Sequence, residues 1–194
     1  SGTDITEERR AQERLRVLAN TDTITGLPNR NAIHEQISDA INHRGETQVG
    51  VVYLDLDNFK KVNDAYGHMF GDQLLQAVAL AILSCLDEGQ VLARLGGDEF
   101  IVMATNTSQG SLEAMASRIL TRLRQPFRIG LIEVYTGCSL GIALAPQHGD
   151  GGGVGDEGDG EAVRLHPGHR QTDAVDGDGA GLDIVKPVDQ VDDR

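Results

Sequence analysis

The sequence predicts an α/β fold in which helices pack on a sheet. Three observations carry this. Segments with helical apolar spacing, near 30–43, 72–86 and 111–124, are separated by short apolar runs of strand type. The two kinds of segment interleave without strict βαβ repetition. Two of the apolar runs, Gln90 to Ala93 and Phe100 to Ala104, are split by Gly96-Gly97-Asp98-Glu99, which reads as a β-hairpin.

Taken in order, residues 4–19 read as a helix with Asp4 as N-cap and Glu7 three residues on, an Asp version of the capping box. Ala11, Leu15 and Leu18 give it one narrow apolar stripe on a charged surface, too little to bury itself alone. Thr21 to Arg30, containing Gly26 and Pro28, reads as a turn before a helix at about 30–43 that carries Ile33, Ile37 and Ile41. Val49 to Leu54 is a buried-type strand ending in Asp55-Leu56-Asp57-Asn58-Phe59-Lys60. Asn58 to Lys61 start a short helix, and Asn63 and Asp64 begin a polar turn in which Gly67 and Gly71 permit tight backbone. Asp72 reads as the N-cap of a helix running to about Leu86, with Leu75, Val78, Ile82 and Leu86 on one face. The helix at 111–124 turns Leu112, Met115, Ile119 and Leu123 inward and is ended by Pro126. Phe127 to Glu133 and Val134 to Ala145 read as a hairpin pair or as successive strands.

A chain of 194 residues is expected to form one domain, with a tail or linker. Its net charge of −13 argues against a nucleic-acid partner. The acidity is uneven: residues 151–194 hold 11 acids against 4 bases, with ten glycines and no aromatic. Without hydrophobic periodicity, little burial offsets the entropy of ordering that stretch, so a disordered tail is expected there. Cys85 and Cys138 lie far apart in apolar contexts and read as buried free thiols. No hydrophobic run is long enough for membrane insertion and no signal peptide precedes the domain, so the expected location is cytoplasmic, with a membrane-anchored parent protein still compatible.

The chemistry concentrates at two places. Asp98 and Glu99 crowd two acids at a hairpin tip, which is costly unless a cation or proton lies between them. The tip therefore reads as a divalent-metal site or as a solvated acidic turn. Asp55 and Asp57 fall two apart and share a face if the strand continues through them. A carboxylate at the end of a central strand, facing an acidic tip, is what a Mg²⁺–nucleotide site needs, because Mg²⁺ takes one or two carboxylates plus substrate phosphates.

The motifs Asp22-Thr23-Ile24-Thr25-Gly26-Leu27-Pro28-Asn29-Arg30, Asp55 to Lys60, Asn63-Asp64-Ala65-Tyr66-Gly67-His68, Gly71-Asp72, Arg94 to Phe100 and Ser139-Leu140-Gly141-Ile142-Ala143 occur in this order. Through them, residues 20–150 resemble the GGDEF domain, the catalytic domain of diguanylate cyclases. The resemblance implies a mixed sheet flanked by helices, like the nucleotide-cyclase palm. It implies an enzyme that joins two GTP into cyclic di-GMP, each 3′-hydroxyl attacking the other nucleotide's α-phosphorus and releasing pyrophosphate. One domain holds one GTP, so a homodimer is implied, under control of the helix at 4–19. Two Mg²⁺ ions per site, or Mn²⁺, would be held by Asp55, Asp98 and the Leu56 carbonyl. Asp98 and Glu99 would be the catalytic pair, with Glu99 either a further ligand or the base for the 3′-hydroxyl. Lys60 and the backbone near Phe59 would contact phosphate, and Gly96 and Gly97 would let the nucleotide approach. Asn63 and Asp72 would read the guanine edge, an Asp accepting from the ring N–H and exocyclic amine while an Asn amide pairs with the base; adenine would leave such groups unpaired. Asp57 is assigned structure before chemistry.

The resemblance also implies an upstream sensor such as a PAS domain, and compares with tandem proteins that carry a downstream EAL phosphodiesterase. Co-occurrence of the two family motifs suggests that Asp22 pairs with Arg94. Two departures stand out. The family continues past residue 150 with a closing helix whose Lys and Arg hold the GTP phosphates, and that pattern is missing. The family's Arg-x-x-Asp product-inhibition site is replaced by Asp87-Glu88-Gly89-Gln90, so no feedback binding is expected there. The alternatives to an active cyclase are a GTP-binding module that tunes a phosphodiesterase and an inactive truncated fragment.

Overall fold

The computed structural model describes residues 2–43, 47–145 and 163–164. Its elements are helices α1 (Gly2–Asn20) and α2 (Arg30–Asn42), strand β1 (Val49–Leu56), and helices α3 (Phe59–Tyr66) and α4 (His68–Leu83). Then come β2 (Val91–Gly96), β3 (Glu99–Thr105), α5 (Gln109–Leu123), β4 (Phe127–Ile129), β5 (Ile132–Val134), β6 (Cys138–Leu144) and β7 (Val163–Arg164).

Five strands form one sheet in the order β2-β3-β1-β6-β7, while β4 and β5 make a separate hairpin. Helices on a sheet were expected and are found; every pair among the described strands is antiparallel, whereas the expected sheet mixed directions. The reason is local: β2 and β3 are joined by a tight turn, which forces them antiparallel, and β1 sits between β3 and β6. Within the stretch read as a disordered tail, Val163–Arg164 pairs with Gly141 and Ile142 of β6; the rest of that stretch, Asp150 and the missing closing helix lie outside the described residues.

β1 is covered on both faces, which is why Val49 to Leu54 reads as a continuous apolar run. Val52, Leu54 and Leu56 face the larger core with Phe100, Val102, Leu140 and Ile142, under α4 (Leu74, Leu75, Val78, Ile82) and α5 (Leu112, Met115, Ile119, Leu123). Val49 and Val51 face the smaller core with Ile101 and Met103, under Ile33 and Ile37 of α2.

Several boundaries move, each for a physical reason. α1 begins at Gly2, so Asp4 lies in its first turn and is not its N-cap. None of its residues is buried: Leu15 and Leu18 are each 66% exposed, as the narrow stripe required. Asn63 and Asp64 sit inside α3 rather than in a turn, because Phe59 anchors that helix in the core and Gly67, at φ 87°, supplies the break. The same glycine starts α4, whose first turn is fastened by buried Phe70, so Asp72 falls in the second turn and is not an N-cap. α4 stops at Leu83, where tighter turns carry the chain on, although Leu86 still packs against the core. Cys85 is half-buried rather than buried; Cys138 is buried, and burial pushes its thiol up to about 12.

Candidate functional site

The end of β1 meets the β2–β3 turn. In the ladder Asp55 lies directly opposite Glu99, and the Leu56 N–H donates to the Asp98 carbonyl at 3.1 Å. The strand pairing thus brings three of the predicted acids to one edge of the sheet. The turn needs its glycines: Gly96 has φ 136° and Gly97 φ 51°, next to a register shift between Arg94 and Gly96. Among the described residues no three His, Cys, Asp or Glu side chains gather closely enough to hold a metal ion by themselves.

Arg94 secures this turn. It is 8% exposed; its Nε and Nη2 donate to the Gly97 carbonyl at 3.0 and 2.7 Å, and its Nη1 donates to Asp22 Oδ1 at 2.6 Å. The Asp22–Arg94 pair suggested by the sequence is therefore present. Asp22 Oδ2 also accepts from the Thr25 backbone N–H at 2.9 Å and its hydroxyl at 2.6 Å. Burial opposes the Asp22 charge, but the Thr25 hydrogen bonds and the Arg94 guanidinium outweigh it and hold the carboxyl below its usual range. The same segment grips α1: Asn29 Nδ2 donates to the Ala19 carbonyl at 2.9 Å while its Oδ1 caps α2 by accepting from Ala32 N–H at 3.1 Å.

A second group forms between α3 and α4. Asn63 Oδ1 is buried and has no hydrogen-bond partner. It lies so close to Gly71 that a Cβ there would collide with it. Asp72 follows directly and is half-buried. Phe59 is buried at the start of α3, with Lys60 exposed beside it. Asp57 is spent on the fold: its N–H donates to the Gly137 carbonyl at 2.9 Å, and its Oδ1 accepts from Ser139 Oγ at 3.2 Å. Gly137 is needed because a Cβ there would come within 2.8 Å of Asp57 Oδ2.

Two neighbours of Glu99 escaped the sequence reading. Arg30 Nη2 stands 3.6 Å from Glu99 Oε2. Tyr53, 3% exposed, lies two residues before Asp55 on the same face of β1. Period-two spacing back from Asp55 would have flagged Tyr53; Arg30 had no signal beyond its place in a motif. At the replaced product site, Asp87 N–H donates to Gln90 Oε1 at 2.8 Å and Arg118 lies 3.7 Å from the Asp87 carboxylate, so those groups bond within the protein.

A family model described as diguanylate cyclase, GGDEF domain, matches residues 19–153. Among curated proteins, the chain is 79% identical over 149 residues to the cyclic di-GMP phosphodiesterase PdeR of Escherichia coli, covering 77% of this chain and 22% of that protein. It is 36% identical to the diguanylate cyclase DgcP of the same organism over 141 residues, 69% of this chain and 40% of the relative. The chain thus spans well under half the length of these relatives. Among solved structures, the coiled coil and GGDEF domain of DgcB from Caulobacter crescentus, in complex with c-di-GMP, superposes with a TM-score of 0.68 at 26% identity over 74% of this chain and 78% of that one. No helix among the described residues is long and apolar enough to cross a membrane.

Proposed function

Because the chain belongs to the GGDEF domain family, whose members bind GTP, work as dimers and serve cyclic di-GMP metabolism, we propose that it is the catalytic domain of a diguanylate cyclase. The observation that carries this is the register of β1 and β3, which sets Asp55 opposite Glu99 beside Asp98. The donor set is all oxygen, which suits a hard divalent cation, and two or three carboxylates leave positions for substrate phosphates. Asp55, Asp98 and the Leu56 carbonyl would hold the cations, which when bound would offset the charge of the phosphates.

Around that centre each residue has a task. The buried, unpartnered Asn63 Oδ1 offers a hydrogen-bond acceptor to the guanine edge, and Asp72 offers a second. Lys60 and the backbone at Phe59 lie at the α3 start, where phosphate would pass. Gly96 and Gly97 lack side chains that would obstruct the nucleotide. Glu99, whose side chain is 26% exposed, would take the proton of the 3′-hydroxyl as that oxygen bonds to the partner nucleotide's α-phosphorus and pyrophosphate departs. The second domain must come from another copy, and the exposed Ile5, Leu15 and Leu18 of α1 suit pairing of two such helices. Proximity of the two nucleotides then contributes several kcal/mol to lowering the barrier, of the order known for oriented reactants. Residues 21–150 would form the GGDEF unit and residues 1–20 the helix from an upstream sensor.

A second reading is a GTP-binding module that tunes a phosphodiesterase domain. The 79% identity to a protein named a phosphodiesterase favours it. Incubation with GTP and Mg²⁺ separates the two. Cyclic di-GMP from the parent chain, falling by roughly 10²–10⁴-fold in Asp98→Ala/Glu99→Ala, supports the cyclase. Tight GTP binding without product rejects it in favour of the module.

A further inference from the structure

Arg30 stands where helix physics alone would not put it. It is the first residue of α2, and the first turn of that helix holds no acid. A cation at that end is opposed by the helix dipole. The backbone that enters Arg30 is nevertheless held from two sides. The Asn29 N–H donates to the Asn20 carbonyl at 2.9 Å and its Nδ2 to the Ala19 carbonyl at 2.9 Å, both at the end of α1. From β2, the Arg94 N–H donates to the Pro28 carbonyl at 3.0 Å. What the fixed position supplies is a charge: Arg30 Nη2 lies 3.6 Å from Glu99 Oε2. That is longer than a hydrogen bond, and the guanidinium is 52% exposed, so the pair is loose. Arg94, at the same turn, is 8% exposed and committed to the Gly97 carbonyl and Asp22.

We propose that Arg30 is a displaceable counter-charge for Glu99: it holds the carboxylate while no divalent cation is bound, and a cation draws Glu99 away from it on binding. The inference rests on the reading of Asp55, Asp98 and Glu99 as a cation-holding edge. The β1–β3 register sets Asp55 opposite Glu99 with Asp98 beside it, so charges of one sign converge there. Such carboxylates repel one another until a positive charge joins them. Two positive charges then compete for Glu99: a guanidinium that is always protonated and a cation from solution. On one carboxylate the two repel, so each weakens the hold of the other, and the effect is reciprocal. The looseness of the pair is what makes it displaceable. A buried pair resists the loss of one partner, whereas an exposed one at 3.6 Å is weak enough to give way. Arg30 thereby sets the concentration at which the edge fills, without being a ligand itself.

Titration of the full chain with Mn²⁺ alone, followed by the EPR signal of the free ion, tests this without nucleotide or turnover. Arg30→Gln removes the charge at an exposed place, and its Kd for Mn²⁺ should fall roughly 2–5-fold, the range of an exposed ion pair. Arg30→Lys keeps the charge and should stay near the parent. In a Glu99→Gln background, Arg30→Gln should make no difference, because the contested carboxylate is gone. An equal fall in that background would mean that Arg30 acts through the general field of the protein, which overturns the proposal. Unchanged affinity in Arg30→Gln, or no Mn²⁺ binding by either parent or variant, overturns it too. Where Glu99→Gln leaves too little binding to compare, a cycle of the two substitutions on urea unfolding decides instead. Coupling present in EDTA and lost in saturating Mg²⁺ supports the proposal; coupling absent in EDTA, or surviving in Mg²⁺, overturns it. The cyclase reading is judged separately, by product from GTP. A chain that makes no cyclic di-GMP loses that reading, while the Mn²⁺ titration still decides the place of Arg30.

Discussion

The two sides of the β2–β3 turn are built on opposite rules. On the α1 side the polar groups that secure the turn bond within the chain: Arg94 serves the Gly97 carbonyl and Asp22, and Asp22 serves Thr25. On the α3–α4 side Asn63 Oδ1 is buried without a partner. Native structures rarely leave such atoms orphaned, since each costs about 1–3 kcal/mol. The contrast teaches that satisfied polar groups here make the frame, while unsatisfied ones mark where a ligand or a reacting group belongs.

The strongest way to break that contrast is to cut the frame. Arg94→Ala leaves Asp22, whose side chain is 13% exposed, without its countercharge and leaves the Gly97 carbonyl unpaired. Loss of one partner of a largely buried pair typically costs about 3–5 kcal/mol, so urea unfolding should show a correspondingly lower midpoint. If stability holds within about 1 kcal/mol, the pair contributes no more than an exposed ion pair would and the frame lies elsewhere. Asn63→Ala probes the other side and should behave in the opposite sense. It removes a buried amide oxygen that has no partner, so stability should hold or rise, while GTP affinity measured by calorimetry drops by about 1–3 kcal/mol. A variant that unfolds more easily but binds GTP as before would place Asn63 in the frame instead.

How much of this was legible in the sequence follows the same division. The strand–helix order, the hairpin and the Asp22–Arg94 pair could be anticipated because each is written as an ordered motif or an apolar period. Strand direction was not, because direction depends on which strands become neighbours, and β1 inserts between β3 and β6 far along the chain. Asn63 and Asp72 were assigned as guanine readers, yet their local structure was misjudged. Asn and Asp compete with helical backbone and so read as turn or cap residues, but Phe59 and Phe70 bury against the core and override that preference. Arg30 stayed hidden for a further reason: its significance lies in its standing 3.6 Å from Glu99 across sheet and helix, and no spacing along one strand reveals that.

The smallest effect tests whether the frame is held by charge. The folded-state pKa of Asp22 lies below the ordinary 3.8 because the Thr25 hydrogen bonds and Arg94 favour the carboxylate more than burial opposes it. A depressed carboxyl contributes stability that is fully present above the unfolded value and is lost as pH falls through the folded one. The Asp22 contribution should therefore be constant from neutrality down to about pH 4 and decline below it. Asp22→Asn keeps an acceptor oxygen for Thr25 but cannot take up a proton, so its unfolding free energy should fall less steeply than the parent's below about pH 4. Parallel curves for the two proteins over that window would mean that Asp22 holds the turn as a hydrogen-bond acceptor, and that Arg94 owes its place to the Gly97 carbonyl rather than to its countercharge.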